Sequence, residues 1–279
     1  MVVFPNAKIN LGLRVVSKRS DGYHDIDTVF YPIPFYDILE TIPSNSGFDF
    51  TFSGKEINGD LSSNLCYKAY QLIKKDFPQL PQIKVHLHKN IPMGAGLGGG
   101  SSDGAFMLKM LNEKFQLGIS NVLLQKYALA LGSDCPFFID NQATSAGGRG
   151  EQFEKIELDL KEKTIVLVNP GLHISTSEAF SKININNNKV RCSEILQQPI
   201  KEWKEKLIND FEESVFPIHP ILNKIKEGLY ASGAVYASMT GTGSSMYGIF
   251  EKDITEKLFL GQSLEVIKII NGKAIRQMH

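Results

Sequence analysis

The chain has 279 residues, 42% hydrophobic and 22% charged, with thirty basic residues against thirty acidic ones. That length supports one large domain or two ordinary ones with sizeable cores, and the even charge excludes the broad positive field of a nucleic-acid binder. Apolar runs such as IVLV at 165–168 fall far short of the roughly 20 residues of a membrane span.

The opening MVVFPNAKIN has no charged leader ahead of an apolar stretch, so no signal peptide is expected. Cys66, Cys135 and Cys192 lie far apart, form no metal spacing and are odd in number, which points to a reducing compartment and hence the cytoplasm. Residues 7–15 alternate, with Ala7, Ile9, Leu11, Leu13 and Val15 on one face and Lys8, Asn10, Gly12 and Arg14 on the other. That pattern predicts a half-buried strand. Asp21-Gly22 marks a turn, IDTVFYPI a second strand, and FDFTF at 48–52 another.

Ser62 or Ser63 then caps a helix to about Phe77, with Leu65, Ala69, Leu72 and Ile73 inward and Pro78 and Pro81 as its stop. IKVHLHK at 83–89 alternates again and leads into PMGAGLGGGSSDGA at 92–105. Beyond it, Ser101, Ser102 and Asp103 are helix-start residues ahead of Ala105, Leu108, Leu111 and Phe115 at helical spacing. A further helix spans Ser120 to about Leu131, stopped by Gly132, and AGGRGE at 146–151 is a hairpin turn.

KTIVLVNPG is a buried strand and NINNNK at 184–189 an exposed loop. Helices follow near 200–214 and 219–230, then VYASM, TGTGSS and MYGIF as strand, loop and strand, a helix at about 252–260, and EVIKII as the last strand. The whole reads as two α+β domains, 1–153 and 154–279, with the last strand able to return to the first.

The glycine-rich stretch contains G-x-G-x-x-G at Gly94, Gly96 and Gly99, yet two familiar phosphate loops do not fit. A dinucleotide site needs its glycines directly after a strand and an acidic residue about twenty positions on, at the end of the next strand. Here Asn90-Ile91-Pro92 intervene and helix follows. A Walker A loop needs Lys before the final Ser or Thr, and Gly100-Ser101-Ser102 has none. What remains is a loop whose backbone N–H groups, with the free donors of the following helix, converge on a polyphosphate, the serine hydroxyls adding hydrogen bonds.

The pattern P-x-G-x-G-L-G-G-G-S-S, together with PNAKINLGL at 5–13 and MTGTGSS at 239–245, resembles the GHMP kinases, the family of galactokinase, homoserine kinase and mevalonate kinase. The resemblance runs from about residue 5 to 250. It implies a two-domain α+β fold, an N-terminal nucleotide-binding and catalytic domain followed by a ferredoxin-like one. ATP and Mg2+ are the implied cofactors, and a monomer or homodimer is expected. RSDGYH beside AKIN narrows the implied substrate to a cytidine diphosphate conjugate of methylerythritol, phosphorylated at its 2-hydroxyl in non-mevalonate isoprenoid synthesis.

Carried onto this sequence, the family's catalytic pair is Lys8 and Asp134. Asp134 would accept or orient the hydroxyl proton, and Lys8 would hold it ionised and stabilise the transferring phosphoryl group. ATP falls to Pro92, Met93, Gly94, Ala95, Gly96, Leu97, Gly98, Gly99, Gly100, Ser101 and Ser102, with Asn64 near the adenine. Tyr23 and Phe180 would stack on the cytosine and His24 read its polar edge. Asn10 and Thr176 would hold the diphosphate or erythritol hydroxyls, and Gly241, Thr242 and Gly243 close over the substrate. Read without the family, Lys8 is a solvated strand lysine, Asp134 a turn aspartate, Phe180 a core residue and Asn64 a helix cap. Two features depart from the pattern: Asp103 stands where the family often has Asn, and the polar insert at 181–199 matches no motif.

Overall fold

The computed structural model describes residues 1–57, 59–183, 185, 190–252, 264–270 and 273–278. Two compact units emerge, each assembled from separated segments: Met1–Ala7, Phe35–Met93 and Gly98–Gln142 form the first, and Lys8–Pro34, Gly94–Leu97 and Ala143–His279 the second.

In the first unit a four-stranded sheet runs in the order Val2–Val3, Ile38–Pro43, Ile83–Lys89, Asp49–Gly54. The last pair is parallel and the others antiparallel. A parallel pair needs a crossover, and the Leu65–Asp76 helix supplies it. That helix starts one residue later than its serines suggest: Asn64 is the cap, its Oδ1 accepting the Cys66 N–H at 2.9 Å, while Leu61–Ser63 forms a single 3-10 turn. The Asn121–Leu131 helix begins and ends as its spacing predicts, with Ser120 as the cap.

The second unit carries two sheets. One runs Asn6–Lys18, His24–Tyr36, Thr144–Gly147, Gln152–Lys155, the last two joined by the expected AGGRGE hairpin. The other runs Tyr236–Met239, Met246–Phe250, Thr164–Asn169, Glu265–Ile270, Lys273–Met278. Glu265–Ile270 pairs with Thr164–Asn169 rather than with the first strand, and Lys273–Met278, which the pattern did not suggest, pairs with it in turn. Val166, Val168, Met239 and Met246 pack with Leu222, Ile225 and Leu229 of the Pro220–Ala231 helix, and Leu13 and Val15 join the same core.

Two expectations change here. The Asn6–Lys18 strand is buried on both faces from Asn6 to Val15, because Arg14 reaches the Lys206 carbonyl and Tyr247 bonds the Asn10 carbonyl across its polar side. Residues 200–214 form no continuous helix. Leu13 donates to the Ile208 carbonyl at 3.0 Å and accepts from the Asp210 N–H at 2.7 Å, so the backbone at 208–210 is tied alongside the strand, leaving Ile200–Glu202 and Phe211–Val215 as short turns of helix. The helix expected at about 252–260 lies, from residue 253 on, outside the described residues, as does most of the 184–189 loop. No described helix is long and apolar enough to cross a membrane.

Candidate active site

The glycine-rich stretch divides between the units. Its first part, 94–97, is held within the second unit by Thr240 Oγ1 donating to the Gly96 carbonyl at 3.1 Å, the Ser245 N–H to the Ala95 carbonyl at 3.3 Å and the Lys8 N–H to the Leu97 carbonyl at 2.9 Å. Gly96 has no room for a side chain: its φ is +76°, and a Cβ would stand 2.1 Å from the Thr240 carbonyl oxygen. Gly98, in the left-handed conformation, caps the Gly99–Lys114 helix of the first unit. The helix therefore starts three residues earlier than its serines suggest. Ser101 sits in its first turn, where N–H groups face out along the axis, and Ser102 follows, its own N–H donating to the Gly98 carbonyl at 2.9 Å. The Ser102 hydroxyl is buried and without a partner, which suits a group that meets a ligand.

In the second unit Lys8 is only 3% exposed. Its Nζ donates to Asn10 Oδ1 at 2.6 Å and lies 5.0 Å from the centre of the Phe30 ring. Asn10 Oδ1 also accepts the Gly241 N–H at 3.0 Å, while its Nδ2 donates to Thr28 Oγ1 at 2.9 Å. Asn10 thus ties the lysine to the C-terminal glycine loop, in which Gly241 and Gly243 are buried and Thr242 is half-buried. Thr28, a member of this network, carried no motif, and Thr240 stood in MTGTGSS without a role of its own. The only advance signal for Thr28 is a hydroxyl on a strand beside a polar stripe.

Phe180 lies at the end of the Thr176–Phe180 helix, and the ring stacked on it is that of His24, 4.5 Å away at 21°. Phe211 meets Phe180 edge-on at 4.7 Å. Tyr23 is 57% exposed, with the Arg149 guanidinium 4.8 Å from its ring centre. The structure therefore brings His24 rather than Tyr23 against Phe180. Thr176 opens its helix and is exposed.

The first unit holds a cavity of about 270 Å3 whose walls include Asn64, Met93 and Gly100, three of the residues expected to meet ATP. Phe50, Phe52, Leu61 and Leu87 supply apolar wall, and Lys89 and Asp103 a buried polar part. Asp134 lies in the turn between the Asn121–Leu131 and Phe137–Asp140 helices and is half-buried. The thiol of Cys135, its neighbour, interacts with Ser101 of the glycine helix, and burial pushes that thiol up to about 12.

Sequence reasoning passed over a buried cluster of Asp37, Lys89 and Asp103. Lys89 Nζ donates to Asp37 Oδ2 and, at 2.7 Å, to Asp103 Oδ2. Asp37 Oδ1 accepts the N–H groups of Asn90 at 2.6 Å and Ile91 at 2.8 Å, so the cluster grips the chain just before the glycines. Burial works to lower the lysine's pKa, but the two carboxylates outweigh it and the net direction is up. The signal was available: Lys89 falls in the inward phase of Ile83, Val85 and Leu87, where a cation must find partners.

Residues 64–148 match the model of the GHMP kinases N terminal domain and residues 193–259 that of the GHMP kinases C terminal. A Bacteroides thetaiotaomicron protein named 4-diphosphocytidyl-2-C-methyl-D-erythritol kinase is 52% identical over 91% of this chain and 94% of its own length. A Porphyromonas gingivalis protein of the same name is 45% identical over 90% and 93%. Among solved structures, a 4-(cytidine 5'-diphospho)-2C-methyl-D-erythritol kinase superposes with a TM-score of 0.78 at 30% identity, covering 90% of this chain and 91% of that one. Mevalonate kinase from Methanococcus jannaschii shares the fold, with a TM-score of 0.67 at 14% identity over 100% and 98%.

Proposed function

This chain belongs to the GHMP kinase family, and from that premise we propose that it transfers the γ-phosphoryl group of ATP to the 2-hydroxyl of 4-diphosphocytidyl-2-C-methyl-D-erythritol, in the methylerythritol phosphate route to isoprenoid precursors. The observation that carries this reading is the near-full-length similarity, at about half of all positions, to proteins named for that substrate. The test is to supply Mg-ATP with that compound, or with mevalonate, homoserine or galactose, and follow ADP. Turnover of one of the last three alone overturns the assignment.

The substrate hydroxyl oxygen bonds the γ-phosphorus as the bond to the β-phosphate oxygen breaks, ADP leaves, and the hydroxyl proton goes to a base. Asp134 accepts or orients that proton, a contribution of roughly 10²–10⁴-fold. Lys8, desolvated and aimed by Asn10, supplies fixed positive charge for the phosphoryl oxygens. The larger share falls to alignment, worth roughly 7–11 kcal/mol, and here the clamped loop 92–102 acts on the phosphates. The cavity walled by Asn64, Met93 and Gly100 takes the adenosine.

The donor set fits a magnesium that arrives with the nucleotide. That ion is usually held by one or two carboxylates together with phosphate oxygens, and Asp134 offers a half-buried carboxylate one residue from a thiol that touches the glycine helix. Bound, the ion would offset phosphoryl charge.

His24, Tyr23 and Phe180 form the cytosine site, with Asn10, Thr176 and Gly241–Gly243 facing the rest of the substrate. Because Asn10 is already engaged on both side-chain atoms, its part is to position Lys8 and the Gly241 N–H. We assign residues 1–153 and 154–279 as the two family domains; the matched segments fall on either side of that boundary. Three free, buried cysteines agree with a cytoplasmic location, and the partners are small molecules, the protein acting as a monomer or homodimer.

A further inference from the structure

We infer that Asp103 binds the nucleotide as a neutral carboxylic acid, its Oδ2 accepting from Lys89 and its Oδ1–H donating to a ring nitrogen of the adenine. The inference rests on reading the 270 Å3 cavity as the adenosine site.

Two carboxyl groups surround one ammonium, and three of their four oxygens are accounted for. Asp37 Oδ1 accepts two backbone N–H groups, and the Oδ2 atoms of Asp37 and Asp103 both accept from Lys89. The fourth, Asp103 Oδ1, is buried and has no partner, on a residue that lines the cavity. With both carboxyls ionised the cluster would hold a net negative charge out of water, an expensive state. One proton makes it neutral.

Asp37, bonded by three N–H donors, is the better anion, so the proton belongs to Asp103, and Oδ1 is the oxygen with room for it. Burial pushes Asp103 up to about 8 against the pull of Lys89, with Asp37 adding to the rise. Burial pushes the Cys66 thiol, on the Leu65–Asp76 helix, well above its ordinary value. Lys89 is kept charged, and Asp60 also lines the cavity. A carboxylic acid is a donor where a carboxylate only accepts, and an apolar site that keeps a carboxyl neutral so that it can donate is a known device. Ionised, the same oxygen would set negative charge against a lone pair.

The experiment is calorimetric titration of the full chain with ADP and with tripolyphosphate between pH 7 and 9, for the wild type, Asp103→Asn and Phe52→Ala. If only the protonated form binds well, ADP affinity scales with its fraction and falls about tenfold from pH 7 to 9. Tripolyphosphate, which has no base, shows no such fall. Asp103→Asn keeps a donor at every pH and gives a flat ADP curve. A wild-type curve that does not fall, or that Asp103→Asn reproduces, overturns the inference. Phe52 is half-exposed on the cavity wall, so Phe52→Ala leaves the fold intact and weakens ADP at pH 7. Unchanged ADP affinity in that variant overturns the cavity reading itself. A weakened Phe52→Ala beside matching pH curves overturns only the role given to Asp103.

Discussion

Replacing Gly96 by alanine tests whether the phosphate loop is clamped as described. The left-handed backbone at φ +76° costs a non-glycine residue roughly 1–2 kcal/mol. The new Cβ would lie 2.1 Å from the Thr240 carbonyl oxygen, so loop and strand end must part by about 1 Å. Overpacking of that kind typically adds ~1–3 kcal/mol, and the Thr240 Oγ1 bond to the Gly96 carbonyl, worth about 1 kcal/mol, is strained with it. The expected loss is roughly 2–5 kcal/mol, read as a shift of the urea midpoint at unchanged slope. Gly118→Ala is the control: φ is +68° but nothing lies within 4 Å of the Cβ, so only the backbone cost of about 1–2 kcal/mol applies. A displacement of about 1 Å can cost roughly 10²-fold in rate, so kcat/KM for ATP falls by that order in Gly96→Ala and stays near wild type in Gly118→Ala. If the two variants are equally stable and equally active, the clamp is not there.

Asp134→Asn lowers kcat by at least about 10²-fold while affinity for the cytidyl substrate holds; single-turnover rates within a few-fold of wild type would remove Asp134 from the proton's path. Phe180→Ala raises KM for the cytidyl substrate by about tenfold through lost ring contact and leaves KM for ATP alone, which steady-state kinetics with each substrate varied will separate. A third prediction concerns pH and stability. Asp103 has a folded pKa raised to about 8 from 3.8, so between these values the native state holds the extra proton and stability falls as pH rises, levelling above about 8. Asp103→Asn lacks that slope. Its urea midpoint therefore gains on the wild type from pH 5 to pH 8, and parallel midpoints would show that Asp103 folds already ionised.

Strong periodicity was legible throughout. The alternation of 83–89 and the helical spacing of 121–131 were sufficient because a single face is buried in each. Reading failed where tertiary contacts overrule local rules. Asn64 is a better-placed cap than the serines before it, and Gly98 opens its helix from a conformation that serine disfavours. Residues 208–210 exchange helix for hydrogen bonds to Leu13, a partner invisible at short range. Lys8 looked like a solvated strand residue because its spacing shows polarity but not what covers it; only the family resemblance assigned it a role. The Asp37–Lys89–Asp103 cluster joins residues 52 and 14 positions apart, and no local pattern pairs them.

The strand from Asn6 to Lys18 has a temporal consequence. The Val15 N–H donates its hydrogen bond to Asp210 Oδ2, 195 residues downstream. At ordinary rates of synthesis, the strand leaves the ribosome roughly 10–40 s before that partner exists. For that interval the apolar row of Ala7, Ile9, Leu11, Leu13 and Val15 is in water or in the care of a chaperone. The lysine proposed for catalysis is made long before the glycine loop that its neighbour Asn10 holds, 231 residues downstream.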